Sequence, residues 1–228
     1  MKSIYIGVCS TREDPKFKES YRNFTDSIYT HYSICLMTLK NQFLPDAQNS
    51  IAKSFLQNDY DYLLLLDDDH WGHTREMLET LIKADAYMAT IKSYSRHYPY
   101  SCTLMKKIEK GYAGIENCEG YMDCDLTGFP MTLIKKETFD FLEYPYFRPT
   151  EGDSRTWATD KDFCERLNEK GIKPVGCFQH CLPHADITEE NVFTRRHTER
   201  FYNNNIAQYN LFNRRQTLIK MKKILQGV

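Results

Sequence analysis

The sequence lacks the long apolar runs and the short signature motifs of several large protein classes. Its longest uninterrupted apolar run, Tyr62–Leu66, is far too short to cross a bilayer. It contains no phosphate-binding G-x-x-x-x-G-K-[ST] loop, no G-x-G-x-x-G after the first apolar run and no G-x-S-x-G nucleophile elbow. These absences argue against a membrane-spanning protein, a P-loop kinase, a dinucleotide-dependent dehydrogenase and a hydrolase with a serine elbow.

The amino-terminal segment also lacks the pattern of a secretion signal. Met1-Lys2 leads straight into the alternating run SIYIGVC, without a long apolar stretch or a small-residue cleavage site. The eight cysteines include no C-x-x-C pair, and 228 residues is long for a disulfide framework. We therefore expect a cytoplasmic protein whose thiols are free and buried.

Charge is unevenly distributed along the chain. The 228 residues suit one domain with a sizeable core, and the formal net charge is only -1. Residues 195–228, however, hold eight Lys and Arg against Glu199 alone, whereas residues 1–194 hold 22 basic and 30 acidic residues. We therefore expect an acidic domain over residues 1–194 and a basic, helical tail over residues 195–228.

The basic tail carries leucines at seven-residue spacing, Leu211, Leu218 and Leu225. Such an apolar stripe favours a helix that packs on the domain. The alternative is contact with an anionic membrane surface, which would make the protein peripheral there. Nucleic acid is not expected as a partner, because the body is acidic and no recognition motif is present. A further hypothesis folds Arg195, Arg196 and His197, which follow His184 closely, over a bound diphosphate as a lid.

Short apolar runs alternate with segments of helical period, which predicts an α/β sandwich with a mostly parallel sheet. The predicted strands are Ser3–Cys9, Tyr32–Met37, Asp61–Leu66, Ala86–Ile91, Ser101–Met105, Met131–Lys135 and Val175–His180. Helices are predicted over Pro45–Asn58, after the cap Thr74, and from the cap Thr159 to a stop at Gly171.

The most informative segment is LLLLDDD, an apolar strand that runs into Asp67, Asp68 and Asp69. Ligands of an open α/β sheet bind outside the carboxyl ends of its strands, where these three carboxylates fall. Alternate side chains of an extended segment point the same way, so Asp67 and Asp69 can converge on one cation. Oxygen ligands suit Mg²⁺ or Mn²⁺. A solvated acidic turn is the plain alternative.

Two further segments carry ionisable or aromatic groups near predicted loops. Helix capping explains Asp160 and Asp162, and a general base at the edge of a cleft is the alternative for Asp160. Trp157, one of two tryptophans, is either packed or a wall for a sugar ring. A proline lies between His180 and His184 and disfavours the helix that would bring both to one zinc ion.

Taken in order, these features resemble the GT-A-type nucleotide-sugar glycosyltransferases over roughly residues 2–186. The opening strand and Cys9-Ser10-Thr11 resemble the family's first strand and nucleotide-holding loop. The segment Asp46-Ala47-Gln48-Asn49 is similar to the "A-R-N" helix, with Gln48 in place of arginine and Asn49 matching. Asp67-Asp68-Asp69 matches the D-x-D motif.

The second half of the chain continues the resemblance. Thr127-Gly128, followed by an apolar run and lysines, resembles the "T-G-x-x-x-x-I-x-R" strand on the acceptor side. The segment ATDKDFCERLNEKG is similar to the "E-D-x-x-F-C-x-R-L-x-x-x-G" helix of inverting members, with Thr159 at the glutamate and Asp160 at the aspartate. The family's third metal ligand is a histidine thirteen residues after the glycine, Gly171, and this spacing selects His184.

The resemblance implies a Rossmann-like GT-A fold and transfer of a sugar, with inversion, from a UDP- or GDP-linked donor to a glycan, lipid-linked or protein acceptor. It implies Mn²⁺ or Mg²⁺ on Asp67, Asp69 and His184, with Asp160 as general base. The implied nucleotide-sugar contacts are Ser10, Thr11, Asn49, Asp67 and Asp68, and the implied acceptor contacts are Thr127, Gly128 and Trp157. A metal-dependent nucleotidyltransferase and an inactive nucleotide-sugar-binding domain are the competing hypotheses.

Overall fold

A computed structural model of the chain describes residues 1–10, 14–96, 99–116, 118–150, 159–192, 195–196 and 199. Within these residues, seven strands form the main sheet, in the order β2-β1-β3-β9-β4-β10-β7, and three form a smaller sheet, β6-β5-β8. The strands are β1 (Ser3–Ser10), β2 (Ser33–Lys40), β3 (Tyr62–Asp67), β4 (Met88–Ser93), β5 (Leu104–Ile108), β6 (Gly111–Gly114), β7 (Tyr121–Asp123), β8 (Leu126–Thr127), β9 (Met131–Lys135) and β10 (Val175–Leu182).

The main sheet is mostly parallel. Strands β2, β1, β3, β4 and β10 run in one direction, whereas β9 and β7 run against it. The parallel strands therefore end at one common edge, which we call the carboxyl edge. Because β9 is antiparallel and its first residue pairs with Leu66, the segment that precedes β9 also lies at this edge.

Helices cover both faces of the main sheet. They are α1 (Pro15–Ile28), α2 (Leu44–Leu56), α3 (Arg75–Lys83) and α4 (Thr159–Glu169), and a 3-10 helix spans Lys136–Phe141. Alternate residues of β1 face opposite sides: Ile4 and Ile6 pack with α1 and α3, whereas Tyr5 packs with α2. Helix α4 packs on the same side of the sheet as α2, through Phe163. This arrangement is a Rossmann-like α/β/α sandwich, so the predicted fold class is confirmed.

Helix α4 brings its first residues to the carboxyl edge. It precedes β10, which is parallel to β4, so the helix runs back across the sheet before the strand begins. The predicted stop is confirmed, because Gly171 has a positive φ of 76° and the N–H of Ile172 returns to the carbonyl of Leu167 at 3.0 Å. Thr159 begins the helix instead of capping it from outside.

The sequence patterns predicted three of the four described α-helices and most of the longer strands. The predicted β9 has the observed bounds, and the helix predicted at Pro45–Asn58 is α2. The strand predicted at Ser101–Met105 lies three residues later, as β5. The prediction missed α1, although Pro15 sits in its first turn and Asp14 caps it by accepting from the N–H of Lys16.

All eight cysteines are free thiols, four of them fully buried. Within the described ranges, no helix is both long and apolar enough to cross a membrane. The predicted tail beyond Glu199, with its leucine stripe, lies outside the described residues, as do Thr11, Trp157 and His197.

Candidate active site

The acidic run ends β3 and turns sharply at the carboxyl edge. Asp67 is the last residue of the strand, and its carbonyl accepts from the N–H of His70 at 3.3 Å. Asp68 is buried, whereas Asp67 and Asp69 are half-buried. The run is therefore a structured turn, and its side chains meet groups from elsewhere in the chain.

Asp69 lies between two histidines. Its Oδ2 is 3.0 Å from His184 Nε2, and its Oδ1 is 3.1 Å from His70 Nδ1. The two imidazole rings stack with centroids 4.2 Å apart. Asp69 therefore contacts one imidazole ring through each of its two carboxylate oxygens.

A backbone carbonyl accepts a hydrogen bond from Nδ1 of His184. His184 Nδ1 lies 2.8 Å from the carbonyl oxygen of Tyr94, which can only accept, so Nδ1 carries a proton and donates it. In the neutral ring the lone pair is then on Nε2, the atom that faces Asp69 Oδ2. Tyr94 therefore orients the ring so that its available electron pair points at the carboxylate.

The same logic holds for His70. Ser93 Oγ donates to the carbonyl of Leu182 at 2.9 Å, so it accepts from His70 Nε2 at 3.0 Å. Burial lowers the pKa of His70 to about 4, so the ring is neutral near pH 7 with its lone pair on Nδ1. Among the described residues, no group donates a hydrogen bond to that nitrogen.

This donor set fits a divalent cation. Two imidazole lone pairs beside a carboxylate offer one cation two nitrogen ligands and an oxygen ligand, which a divalent ion would join. Asp69, His70 and His184 form the one group in the described ranges that could hold a metal ion. Adjacent ligands of an octahedral ion with bonds of about 2.1 Å lie about 3.0 Å apart, close to both separations at Asp69. Carbonyl and hydroxyl groups that orient ligating histidines are the usual support of such sites.

Backbone contacts join the two loops that carry these ligands. His70 and His184 form an isolated antiparallel bridge, and the N–H of Ala185 donates to the carbonyl of Asp69 at 2.9 Å. Trp71 Nε1 donates to the carbonyl of Ala185, also at 2.9 Å. On the other side, Ser20 Oγ of α1 accepts from the two N–H groups that follow Trp71. The ligand geometry is therefore built into the fold.

Asp160 stands at the start of α4. Its Oδ1 accepts from the N–H of Lys161 at 2.9 Å, and burial raises its pKa to about 6. A carboxylate with such a pKa is ionised at neutral pH and is a stronger base than a surface aspartate. Asp162, its neighbour, is instead paired with Arg166 at 2.8 Å.

The predicted acceptor residues pack against this helix. Thr127 is fully buried, and its Oγ1 lies 3.7 Å from Cys164 Sγ on α4. The N–H of Gly128 donates to the carbonyl of Thr103 at 3.1 Å, which joins this segment to the smaller sheet. The segment thus lies at the carboxyl edge beside the first turns of α4. Its contact with an acceptor stays a prediction.

The predicted nucleotide residues take different positions. Ser10 ends β1 at the carboxyl edge, where its carbonyl accepts from the N–H of Asn41. Asn49 is buried. Its side-chain Nδ2 donates to the carbonyls of Pro45 and Phe147, and its Oδ1 accepts from the N–H of Phe147. Gln48 is also buried. These contacts give Asn49 a structural task, and its predicted contact with the nucleotide stays a prediction.

Sequence reasoning missed two residues at this centre, His70 and Arg96. Arg96 follows β4, and its NH1 lies 3.2 Å from Asp69 Oδ2. His70 directly follows the acidic run, so a D-D-D-H reading was the signal for it. Arg96 had no local signal, because only the sheet order brings β4 next to the loop after β3.

His180, which belongs to β10, lies away from the centre. His180 Nε2 contacts Thr80 Oγ1 of α3 at 3.1 Å. Cys177 is buried in the core formed with α1 and α3. The grouping at Asp69 therefore includes His184 and leaves out His180, which supports the preference for His184.

The arginines of the hypothesised lid make contacts within the protein. Arg195 pairs with Asp186 at 2.5 Å. Arg196 pairs with Glu116 at 2.7 Å and donates to the carbonyl of Pro99 at 3.0 Å. These contacts fasten the segment after His184 to the smaller sheet and its neighbouring loop.

No protein-family model and no curated protein sequence matches the chain. Among solved structures, the chain is similar to A197 from STIV, with a TM-score of 0.53 and 13% identity over 79% of this chain and 83% of that one. S. aureus TarS 1-349 has a TM-score of 0.48 and 10% identity, over 85% of this chain and 63% of that one. The first similarity concerns the fold alone, and the second is too weak to support an argument. The function must therefore be argued from the site.

Proposed function

We propose that this protein is a metal-dependent glycosyltransferase that moves a sugar from a nucleotide-sugar to an acceptor hydroxyl, with inversion. One observation carries the proposal: ring nitrogens of His184 and His70 lie 3.0 Å and 3.1 Å from the two Asp69 carboxylate oxygens, at the carboxyl edge of the sheet. Asp160, with a pKa raised to about 6, stands at the same edge. A cation site and a base at the ligand-binding edge of an α/β sheet suit transfer from an anionic donor.

The cation site is assigned to Asp69, His70 and His184, which would hold Mn²⁺ or Mg²⁺. Asp67, at the end of β3, would approach the ion directly or through water and lie near the ribose. When bound, the ion supplies positive charge that offsets the charge developing on the departing nucleoside diphosphate. Tyr94 and Ser93 keep the imidazole lone pairs aimed at the site.

Asp160 is assigned the proton transfer. Its carboxylate takes the proton from the acceptor hydroxyl while the hydroxyl oxygen attacks the anomeric carbon, and the bond from that carbon to the diphosphate oxygen breaks. Since Oδ1 already accepts from the N–H of Lys161, Oδ2 is the oxygen assigned to the substrate. Attack from the face opposite the leaving group inverts the anomeric centre.

The remaining predicted residues divide between donor and acceptor. The donor, a UDP- or GDP-linked sugar, is placed against Asp68 and the nucleotide-side residues Ser10, Thr11 and Asn49. The acceptor, a glycan, lipid-linked or protein hydroxyl, is placed against Thr127, Gly128 and Trp157. The position of Thr127 and Gly128 beside α4 supports this division, because it puts them next to the proposed base.

A donor screen tests the proposal. UDP- and GDP-linked sugars are incubated with the protein and Mn²⁺ or Mg²⁺, and release of nucleoside diphosphate is followed with and without a candidate acceptor. We expect release for one donor class, loss of release with EDTA, and recovery when Mn²⁺ is restored. The variant Asp69→Asn should lose release, whereas Asp85→Asn, at an exposed turn, should keep it.

The competing hypotheses give different products. A nucleotidyltransferase would release pyrophosphate from a nucleoside triphosphate and a sugar phosphate. A binding domain would shift in melting temperature with donor and Mn²⁺ and release nothing. Either result, reproduced across the donor panel, would overturn the proposed transfer.

A further inference from the structure

Arg96 shares an oxygen with the proposed metal centre. Its NH1 lies 3.2 Å from Asp69 Oδ2, the oxygen that is also 3.0 Å from His184 Nε2. The Arg96 side chain is 34% exposed, whereas that of Asp69 is 18% exposed. The guanidinium is therefore the more exposed partner of this ion pair.

A divalent cation on Asp69 would weaken the attraction between this carboxylate and the guanidinium of Arg96. Arginine keeps its charge at any accessible pH, so it cannot relieve the repulsion by losing a proton. The ion and the guanidinium would compete for the same oxygen, and the ion carries the larger charge. An anion that arrives at the metal can then compete with Asp69 for the guanidinium.

A diphosphate is the anion that this position suits. The planar fork of arginine offers paired N–H donors that match phosphate oxygens, and it binds them more specifically than a point charge does. A diphosphate that bridges to the metal lies beside Asp69, within the surroundings that Arg96 already occupies.

Other arginines near His184 have different partners. Arg195 pairs with Asp186, and Arg196 pairs with Glu116 and sits over the ring of Tyr94. Among the described arginines, Arg96 is the one whose ion pair is made with a member of the metal group.

We propose that Arg96 exchanges partners: it neutralises Asp69 in the metal-free protein and binds the diphosphate of the ligand once the metal is in place. The choice of a nucleoside diphosphate rests on the proposed function. The exchange makes an ordered sequence favourable, with the metal first and the diphosphate second. Arg96 is thus assigned as a binding residue for the leaving group.

Two binding measurements on the full chain test this exchange, and their expected changes have opposite signs. Affinity for Mn²⁺ is measured by titration calorimetry, and affinity for UDP, GDP and inorganic pyrophosphate is measured at saturating Mn²⁺. For Arg96→Ala we expect Mn²⁺ to bind about 5-fold more tightly, because its competitor is gone. We expect the diphosphate that the wild type binds to be about 10–100-fold weaker, because a charged hydrogen-bond donor is lost.

Matched variants separate charge from shape. Arg96→Lys keeps the charge and should leave Mn²⁺ affinity near the wild-type value while weakening the diphosphate, because the fork is lost. Arg75→Ala, which removes an ion pair with Glu79 on α3, should change neither affinity. Weaker binding of both ligands by Arg96→Ala would assign the residue a structural role and overturn the exchange.

Further outcomes distinguish this proposal from the function on which it rests. Tighter Mn²⁺ with unchanged diphosphate would overturn the exchange and leave the glycosyltransferase proposal intact. If the wild type binds pyrophosphate but neither nucleotide, the proposed donor class fails, and weaker pyrophosphate binding by Arg96→Ala would still support the exchange. If the wild type with Mn²⁺ binds none of the three probes, both proposals are overturned.

Discussion

His184 Nε2 lies 3.0 Å from Asp69 Oδ2, although 115 residues separate them along the chain. The contact exists because β3 and β10 are parallel strands of one sheet and both end at its carboxyl edge. His70 completes the group from the adjacent position. The candidate centre is thus a product of the sheet topology together with two hydrogen bonds that orient the rings.

Loss of either histidine should abolish tight metal binding. For His184→Ala and His70→Ala we expect Mn²⁺ affinity to fall by at least about 100-fold, since each change removes a ligand nitrogen. Titration calorimetry on the purified chain measures this loss. His180→Ala is the matched control, because His180 contacts Thr80 and lies outside the group. Equal losses in all three variants would contradict the assignment of the ligands.

Ser93 should matter for metal binding without touching the metal. Ser93→Ala removes the acceptor that holds His70 Nε2, so the ring loses its orientation. We expect Mn²⁺ affinity to fall about 10–100-fold, as it does when an orienting partner is removed from a ligating histidine. Ser54→Ala removes a hydroxyl of α2 that accepts a hydrogen bond from Tyr5, and it should leave the affinity unchanged. Unchanged affinity in Ser93→Ala would remove this residue from the site.

The sequence predicted the main sheet well because its signals are local. The runs at β1, β3 and β9 are apolar and bounded by polar residues, so each strand is recognisable without its neighbours. The short strands β7 and β8 hold three and two residues and carry no periodic pattern of their own. Only their pairing partners define them.

The candidate site could be predicted only in part. Asp69 and His184 follow from motif order and spacing, but the ring orientation of His70 depends on Ser93 of β4, which no local pattern reveals. Arg96 depends on the same juxtaposition. For Asn49, the resemblance implied a contact with the nucleotide-sugar, and the structure ties its amide to Phe147, 98 positions away.

The Asn49 amide should be a major contributor to stability. Asn49→Ala would leave the buried N–H and carbonyl of Phe147 without their partner, which costs about 2–3 kcal/mol of unfolding free energy. Urea unfolding with an unchanged m-value would measure this cost. Asn58→Ala, which loses one exposed local hydrogen bond, should change stability by less than about 0.5 kcal/mol. A small effect at Asn49 would show that the loop at Phe147 is held by other contacts.

Asp160 should support activity but lower stability. Its replacement should therefore reduce transfer and increase the free energy of unfolding. Its pKa of about 6 predicts that wild-type transfer falls roughly tenfold per pH unit below that value, as the base becomes protonated. Asp160→Asn should keep donor binding and lose transfer by about 100-fold or more. Asp162→Asn, which removes an ion pair on the same helix, should keep the wild-type pH profile. Full turnover in Asp160→Asn would refute the base assignment.

The same pKa gives the sign of the stability change. An unfolded aspartate ionises near pH 3.9, so between about pH 4 and pH 6 the folded chain holds a proton that the unfolded chain releases. Stability therefore falls as the pH rises through this window, and the cost remains above pH 6. Asp160→Asn removes the buried charge. At pH 7.5 its free energy of unfolding should exceed that of the wild type by about 1–3 kcal/mol. The difference should vanish below about pH 4, and a difference independent of pH would contradict burial as its cause.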